Sequence, residues 1–320
     1  MSTPAATPPK QRLIFAMGGG GFTMEPSNPL LDDFVLSLAA AHAHLPATDA
    51  ADAHLSATDA ANAPLAGAST ANPTRASART REPRILFLPT ASGDTTAQIA
   101  AFHARFADRH CVAEHLSLFR LHELRRPLAE IILSQDVLYV GGGSMRNLLA
   151  IWRAHDLDRL LISAWRQGIV LAGISAGAMC WFAGGITRSS GQPQPLAGLG
   201  LLEGSLTVHA DGEPERLPVW LAAVRDGVLP GGWSLDDGVG LLFAGTRLQR
   251  IVSSRPGASA QRVDQVAGEL VRNRLVPELL GATGPAAALP SMDEDVQELR
   301  RVQRLRRTTS SPRGGRLGGY

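Results

Sequence analysis

A chain of 320 residues, 44% hydrophobic and 19% charged, has room for one large α/β domain or two small ones and the composition of a globular protein that lives in water. A formal net charge of +2 is too small to argue for a nucleic-acid partner, and part of the basic excess sits in the C-terminal tail. No apolar run approaches a membrane span, and residues 1–10 lack the basic start and apolar core of a secretory signal, so no membrane is expected and the expected setting is cytoplasmic. Cys111 and Cys180 lie far apart in apolar surroundings and read as reduced core residues.

Arg12 to Met17 is a short apolar strand that runs into Gly18-Gly-Gly-Gly21. Glycines at the end of a strand in an open α/β sheet let backbone approach a ligand or another loop. A nucleotide site is not indicated, since no Gly-Lys-Ser/Thr follows and no second strand ends in an acid about twenty residues on. Asn28 to Ala40 has helical spacing, with Leu31, Phe34, Val35 and Leu38 on one face. Residues 41–80 break the pattern: His44 to Ala53 is nearly repeated as His54 to Ala63, and Ser, Thr, Pro, Ala and Arg follow. Such composition cannot bury enough apolar surface to offset its ordering entropy, so a disordered surface insertion is expected. His42, His44 and His54 have no Cys or acidic partners at ligand spacing, and no metal is expected there.

The sheet resumes at Arg84 to Leu88, followed by Pro89-Thr-Ala-Ser92. Thr95 to Asp108 reads as a helix, Val112 to Leu118 as a strand and Pro127 to Ser134 as a short helix. Asp136 to Val140 is a strand delivering Gly141-Gly-Gly143, and Met145 to Ala154 and Leu157 to Gln167 are helices. Strands alternating with helices predict an α/β fold, a mostly parallel sheet with helices on both faces. The ligand site then lies beyond the C-terminal ends of the strands, where the Gly18, Gly141 and Ser175 loops fall. Further on, Gly204 to His209 precedes an acidic loop from Asp211 to Pro218, and Trp220 to Asp226 suggests a helical turn or two. Ser234 to Phe243 and Arg247 to Ser253 read as a hairpin, and Gln261 to Leu280 as a further strand or two. The expected organisation is a catalytic domain over 1–281 and a basic helix and tail over 282–320.

The stretch Val170 to Trp181 carries the chemistry. An apolar strand (Ile169 to Ala172), then Gly173-Ile-Ser175-Ala-Gly177, then an Ala/Met/Trp-rich segment expected to be helical, is the context of a nucleophile elbow. Gly-x-Ser-x-Gly alone arises by chance in a chain with 33 glycines; the strand before it and the helical composition after it give it meaning. A serine hydroxyl needs a base, and the base needs an orienting group. Of nine histidines only His209 follows Ser175. The acids after it are Asp211, Glu213, Glu215, Asp226 and Asp236-Asp237, with several beyond residue 263. Those in the histidine's own loop would be solvated, whereas Asp236 and Asp237 occur where a strand resumes. An esterase of the α/β-hydrolase type needs its acid before its histidine, and only Glu203 lies between Ser175 and His209.

Tyr139-Val-Gly-Gly-Gly143 with Asn147-Leu-Leu, and Leu171-Ala-Gly-Ile-Ser-Ala-Gly-Ala-Met-Cys-Trp-Phe182, resemble the peptidase E family. Ala16 to Phe22, Phe87 to Ser92, Gly198 to Leu202, Asp236-Asp-Gly238 and Ser253-Ser-Arg-Pro-Gly-Ala258 match in the same order, over roughly residues 12 to 281. The resemblance implies serine peptidases of the class I glutamine amidotransferase-like, flavodoxin-like fold, related to cyanophycinase. It implies a base in a Cys-Pro-His-Tyr-Asp motif, here Thr207-Val-His-Ala-Asp211, and an oxyanion hole from the N–H groups of Gly142, Gly143 and Ala176. Relatives with a glutamate as third member carry it just before the residue matching Gly238, which selects Asp237. Arg216 lies near where the family places a cation for a substrate carboxylate.

The expected function is a peptidase of this type, cleaving short peptides, with an N-terminal aspartate as one possible feature, through an acyl-enzyme and with no cofactor. A cyanophycinase-like or amidotransferase-like amide hydrolase is the alternative, although amidotransferases use Cys where this chain has Ser175. A silent binding module of the same fold is the third. The expected partner is a short peptide substrate and the expected state a monomer or homodimer.

Overall fold

The computed structural model describes residues 11–43 and 81–281. Leu13–Met17 (β1) is buried at every position, which is why it reads as a continuous apolar run: a strand covered on both faces has no solvent side. Gly21–Met24 (α1) and Leu30–Ala43 (α2) follow. After residue 81 come Arg84–Leu88 (β2), Thr96–Phe106 (α3), Val112–His115 (β3), Leu128–Leu133 (α4), Val137–Val140 (β4), Met145–Ala154 (α5), Leu157–Arg166 (α6) and Val170–Ile174 (β5). Then come Ala176–Met179 (α7), Phe182–Ser190 (β6), Gln192–Ala197 (β7), Leu202–Thr207 (β8), Arg216–Arg225 (α8), Gly232–Leu235 (β9), Val239–Ala244 (β10), Arg247–Ser253 (β11), Ala260–Val266 (β12), Glu269–Leu275 (β13) and Glu278–Leu279 (β14). Among the described residues no helix is long and apolar enough to cross a membrane.

The main sheet has eight strands in the order β14-β11-β10-β1-β5-β4-β2-β3. Its centre is parallel, and β10 and β11 add an antiparallel hairpin on one side of β1. The side-chain period of two divides each strand between two apolar layers. Ile14, Leu138 and Leu171 join Trp152, Leu161 and Trp181 on one face. Phe15, Tyr139 and Ala172 join Phe34, Phe102 and Phe106 on the other. The mostly parallel, two-sided α/β architecture is therefore as the alternation of elements implied. The order also places the carboxyl ends of β1, β4 and β5 side by side, which brings the Gly18, Gly141 and Ser175 loops together.

Three expectations need correction. The helix after Ser175 spans only Ala176–Met179, because from Phe182 the chain pairs with β8, with Phe182 opposite Leu202. That pairing belongs to a second, six-stranded sheet, β13-β12-β9-β8-β6-β7, which local periodicity does not reveal. Ser234 and Leu235 sit in this second sheet and only Val239–Ala244 enters the hairpin with β11. Helix α2 runs to Ala43, three residues into the stretch read as an insertion. The remainder of that insertion, and the tail over 282–320, lie outside the described residues.

Candidate active site

Strand β5 ends at Ile174, and Ser175 turns the chain with φ 54° and ψ −114°. Its N–H donates to Met17 O at 3.0 Å, and its carbonyl accepts from Ala178 and Met179 at 3.0 and 2.9 Å. Ser175 is thus tied to β1 on one side and to the first turn of α7 on the other. The flanking glycines are required by contact. A Cβ at Gly173 would stand 2.0 Å from Gly177 O, and one at Gly177 would stand 2.4 Å from Val140 O.

His209 lies two residues beyond β8 with φ 57°, and its carbonyl caps the loop by accepting from Gly212 and Glu213 at 3.1 and 2.7 Å. Its Nε2 is 2.9 Å from Ser175 Oγ and its Nδ1 is 2.6 Å from Asp237 Oδ1. His209 and Asp237 are buried, 9% and 7% exposed, while Ser175 is half-buried. Of the three, Ser175 is the residue most open to solvent, and its two partners are largely screened from water. Asp236 faces elsewhere: its Oδ2 accepts from the N–H and hydroxyl of Ser259 at 2.8 and 2.9 Å. Of the two adjacent acids, Asp237 is the one against the imidazole.

The Gly18–Gly21 loop covers this pair. A Cβ at Gly19 would fall 1.9 Å from Asp237 Oδ1 and 2.8 Å from His209 Nδ1, so only glycine leaves the carboxylate room. The sequence marked this loop as a place of close approach without saying to what.

In the Gly141–Ser144 segment the outer N–H groups are used, Gly141 to Leu88 O at 3.1 Å and Ser144 to Ala91 O at 2.7 Å. Among the described residues those of Gly142 and Gly143 have no acceptor. Gln98 on α3, which the sequence did not single out, donates Nε2 to Gly142 O at 3.3 Å. In a planar trans peptide the C=O and the following N–H point opposite ways, so this bond turns the Gly143 N–H away from α3. Gly142 abuts the serine, since a Cβ there would be 3.3 Å from Ser175 Cβ. The N–H of Ala176 opens α7 and has no intrahelical partner.

Arg216, the expected cation for a substrate carboxylate, is buried and engaged within the protein. It begins α8 with its side chain 8% exposed, Nε 2.8 Å from Glu213 Oε2 and Nη1 donating to Ile186 O at 2.7 Å. Its charge is consumed in holding the His209 loop to β6. Burial works to raise the Glu213 carboxyl, but hydrogen bonds from Arg216 and Arg188 outweigh it and hold the group below its ordinary value. Arg188 is the more open cation, 42% exposed, with Nη1 3.1 Å from Glu213 and 2.7 Å from Glu215. Cys180 is fully buried, which pushes its thiol well above the usual range, and its Sγ contacts Gly177 O at 3.2 Å. It is no substitute nucleophile.

The sequence model of peptidase family S51 matches residues 68–251. An uncharacterized peptidase, YgaJ, of Bacillus subtilis (strain 168) is 38% identical over 268 residues, covering 84% of this chain and 99% of that protein. The crystal structure of a peptidase from an acI-B1 Actinobacterium shares the fold, with a TM-score of 0.56 at 16% identity, covering 83% of this chain and 95% of that one. A family match over more than half the chain, with a relative aligned along nearly its whole length, makes this protein a member of peptidase family S51, the serine-type peptidases of the peptidase E kind.

Proposed function

We propose that this peptidase cleaves short peptides through an acyl-enzyme on Ser175, with His209 as base and Asp237 as the group that orients it. The observation that carries this reading is the unbroken chain from Ser175 Oγ to His209 Nε2 (2.9 Å) and from His209 Nδ1 to Asp237 Oδ1 (2.6 Å). In the first half-reaction Nε2 takes the hydroxyl proton as Oγ attacks the scissile carbonyl, and the imidazolium then gives that proton to the leaving amine. Asp237 fixes the tautomer with the proton on Nδ1 and stabilises the imidazolium. The N–H groups of Gly143 and Ala176, with that of Gly142 beside them, supply donors for the oxyanion. Water, deprotonated by the same Nε2, then releases the acyl group.

A preference for an N-terminal aspartate would be served by Arg188 rather than Arg216. Ser189, its neighbour, accepts from Arg146 N at 3.2 Å, just beyond the Gly141–Gly143 loop, while Arg188 itself reaches Glu213 in the His209 loop. Arg188 therefore lies on a strand segment that touches the start of α5 through Ser189 and the His209 loop through its own side chain. The test is a dipeptide panel with Asp, Glu, Asn and neutral residues at the N-terminal position. Turnover should be absent in Ser175→Ala, fastest for Asp, and less selective for Asp over Asn in Arg188→Gln. Wild-type turnover by Ser175→Ala would contradict the mechanism; an equal rate for Asp and Asn would contradict the preference alone.

A further inference from the structure

Asp237 sits in the turn between β9 and β10, and its reach to His209 depends on where that turn is held. Three consecutive N–H groups fix it. Asp236 N donates to Ser259 O at 3.1 Å, Gly238 N to Gly19 O at 3.1 Å, and Asp237 N to Asp211 Oδ1 at 2.8 Å. Only the middle contact is made by a side chain. Asp211 also lies two residues after His209, so one short segment grips the third residue of the site twice, through the imidazole and through this carboxylate.

Asp211 is 40% exposed, and burial does not hold it in place. Its other oxygen is 3.6 Å from Arg255 Nη1, and Arg255 Nε is bonded in turn to Glu25, at the end of α1. Glu25 Oε2 is within 3.4 Å of both Ser254 Oγ and Asn28 Nδ2. The row Glu25, Arg255, Asp211 thus joins the residues after the Gly18–Gly21 loop, the Ser253–Ala258 segment and the histidine loop at the back of the acid.

We infer that Asp211, oriented by Arg255, is a positioning residue: it holds the backbone of Asp237 so that its carboxylate meets His209 Nδ1. This rests on the catalytic reading above. Without the contact the turn is freed at its middle N–H, and a shift of about 1 Å at a reacting group can cost on the order of a hundredfold in rate.

The experiment is a double-mutant cycle on dipeptide turnover in the full chain, with Asp211→Ala, Asp237→Asn and the pair, each checked by circular dichroism and thermal melting. Asp211→Ala should lower kcat by about tenfold to a hundredfold with KM near wild type. In the Asp237→Asn background it should cost little further, because it acts through that carboxylate. Asp211→Asn keeps an oxygen for the N–H and should retain most of the rate. Arg255→Gln, which leaves Asp211 in place but unheld, should lower kcat in the same direction and less. Wild-type kcat in Asp211→Ala, or the same fold-loss in both backgrounds, overturns the positioning role while Asp237→Asn remains crippled. Wild-type turnover by Asp237→Asn is a different result, which removes the catalytic reading and this inference with it.

Discussion

Ser175 and His209 both carry backbone angles that an L-residue rarely adopts, φ 54° and φ 57°. Residues held in such regions cost about 1–3 kcal/mol each and persist where the surroundings over-determine them. For Ser175 those surroundings are Met17 O, the first turn of α7, and the two glycines packed against neighbouring backbone. Ser175→Gly should relieve the strain and Ser175→Ala should not, so in urea the glycine variant should be the more stable of the two by about 1 kcal/mol or more, with neither turning over peptide. Equal stability of the two variants would mean the elbow is unstrained. At this scale the serine and the histidine could be read from the sequence, the first by its glycines and preceding strand, the second because no other histidine follows it. Choosing Asp237 over Asp236 needed the register of relatives. The contact of Gly19 with Asp237 was not legible, since it joins residues more than two hundred positions apart. The pairing of Arg216 did have a signal in the sequence: Glu213 stands three residues before it, the spacing of an ion pair on one helical turn.

Helix α2, helix α3 and strand β4 meet at a buried polar contact beneath the site. Asp32 is 0% exposed, accepts from Tyr139 Oη at 3.0 Å, and lies 3.0 Å from Arg105 Nε without hydrogen-bond geometry to it. Burial raises the Asp32 carboxyl to about 6, against the lowering effects of Tyr139 and Arg105. Folding therefore favours the protonated form relative to the unfolded chain. The contribution is fully present below the ordinary carboxylate value of 3.8 and is lost as pH rises through about 6. Wild-type stability minus that of Asp32→Asn, which cannot titrate there, should fall by at most about 3 kcal/mol between pH 4 and 7 and then level off. A difference that stayed flat, or rose, across that range would show that Arg105 compensates the charge in full. The helices and parallel strands that frame this contact were legible because each satisfies one local period. The contact itself was not, because Asp32, Arg105 and Tyr139 come from three separate elements.

For the molecule as a whole, the parallel half follows from alternating strands and helices, whereas the second sheet does not. Strand β6 carries Gly184 and Gly185, which weaken any local strand signal, and comes two residues after the short helix Ala176–Met179, so nothing local marks it until the non-local partner β8 is supplied. On the proposed reading that sheet is scaffolding for the site: β8 ends just before His209 and β9 just before Asp237, so it brings both to the serine carried by the main sheet. The central claim is that these three residues work as one nucleophilic unit. It is tested most directly by treating the native protein with a fluorophosphonate and mapping the adduct by mass spectrometry. One adduct on Ser175 is predicted, formed far more slowly in His209→Ala and Asp237→Asn and absent in Ser175→Ala. Absence of any adduct on Ser175 in a preparation that turns over peptide, or labelling at the wild-type rate in His209→Ala, would contradict the account.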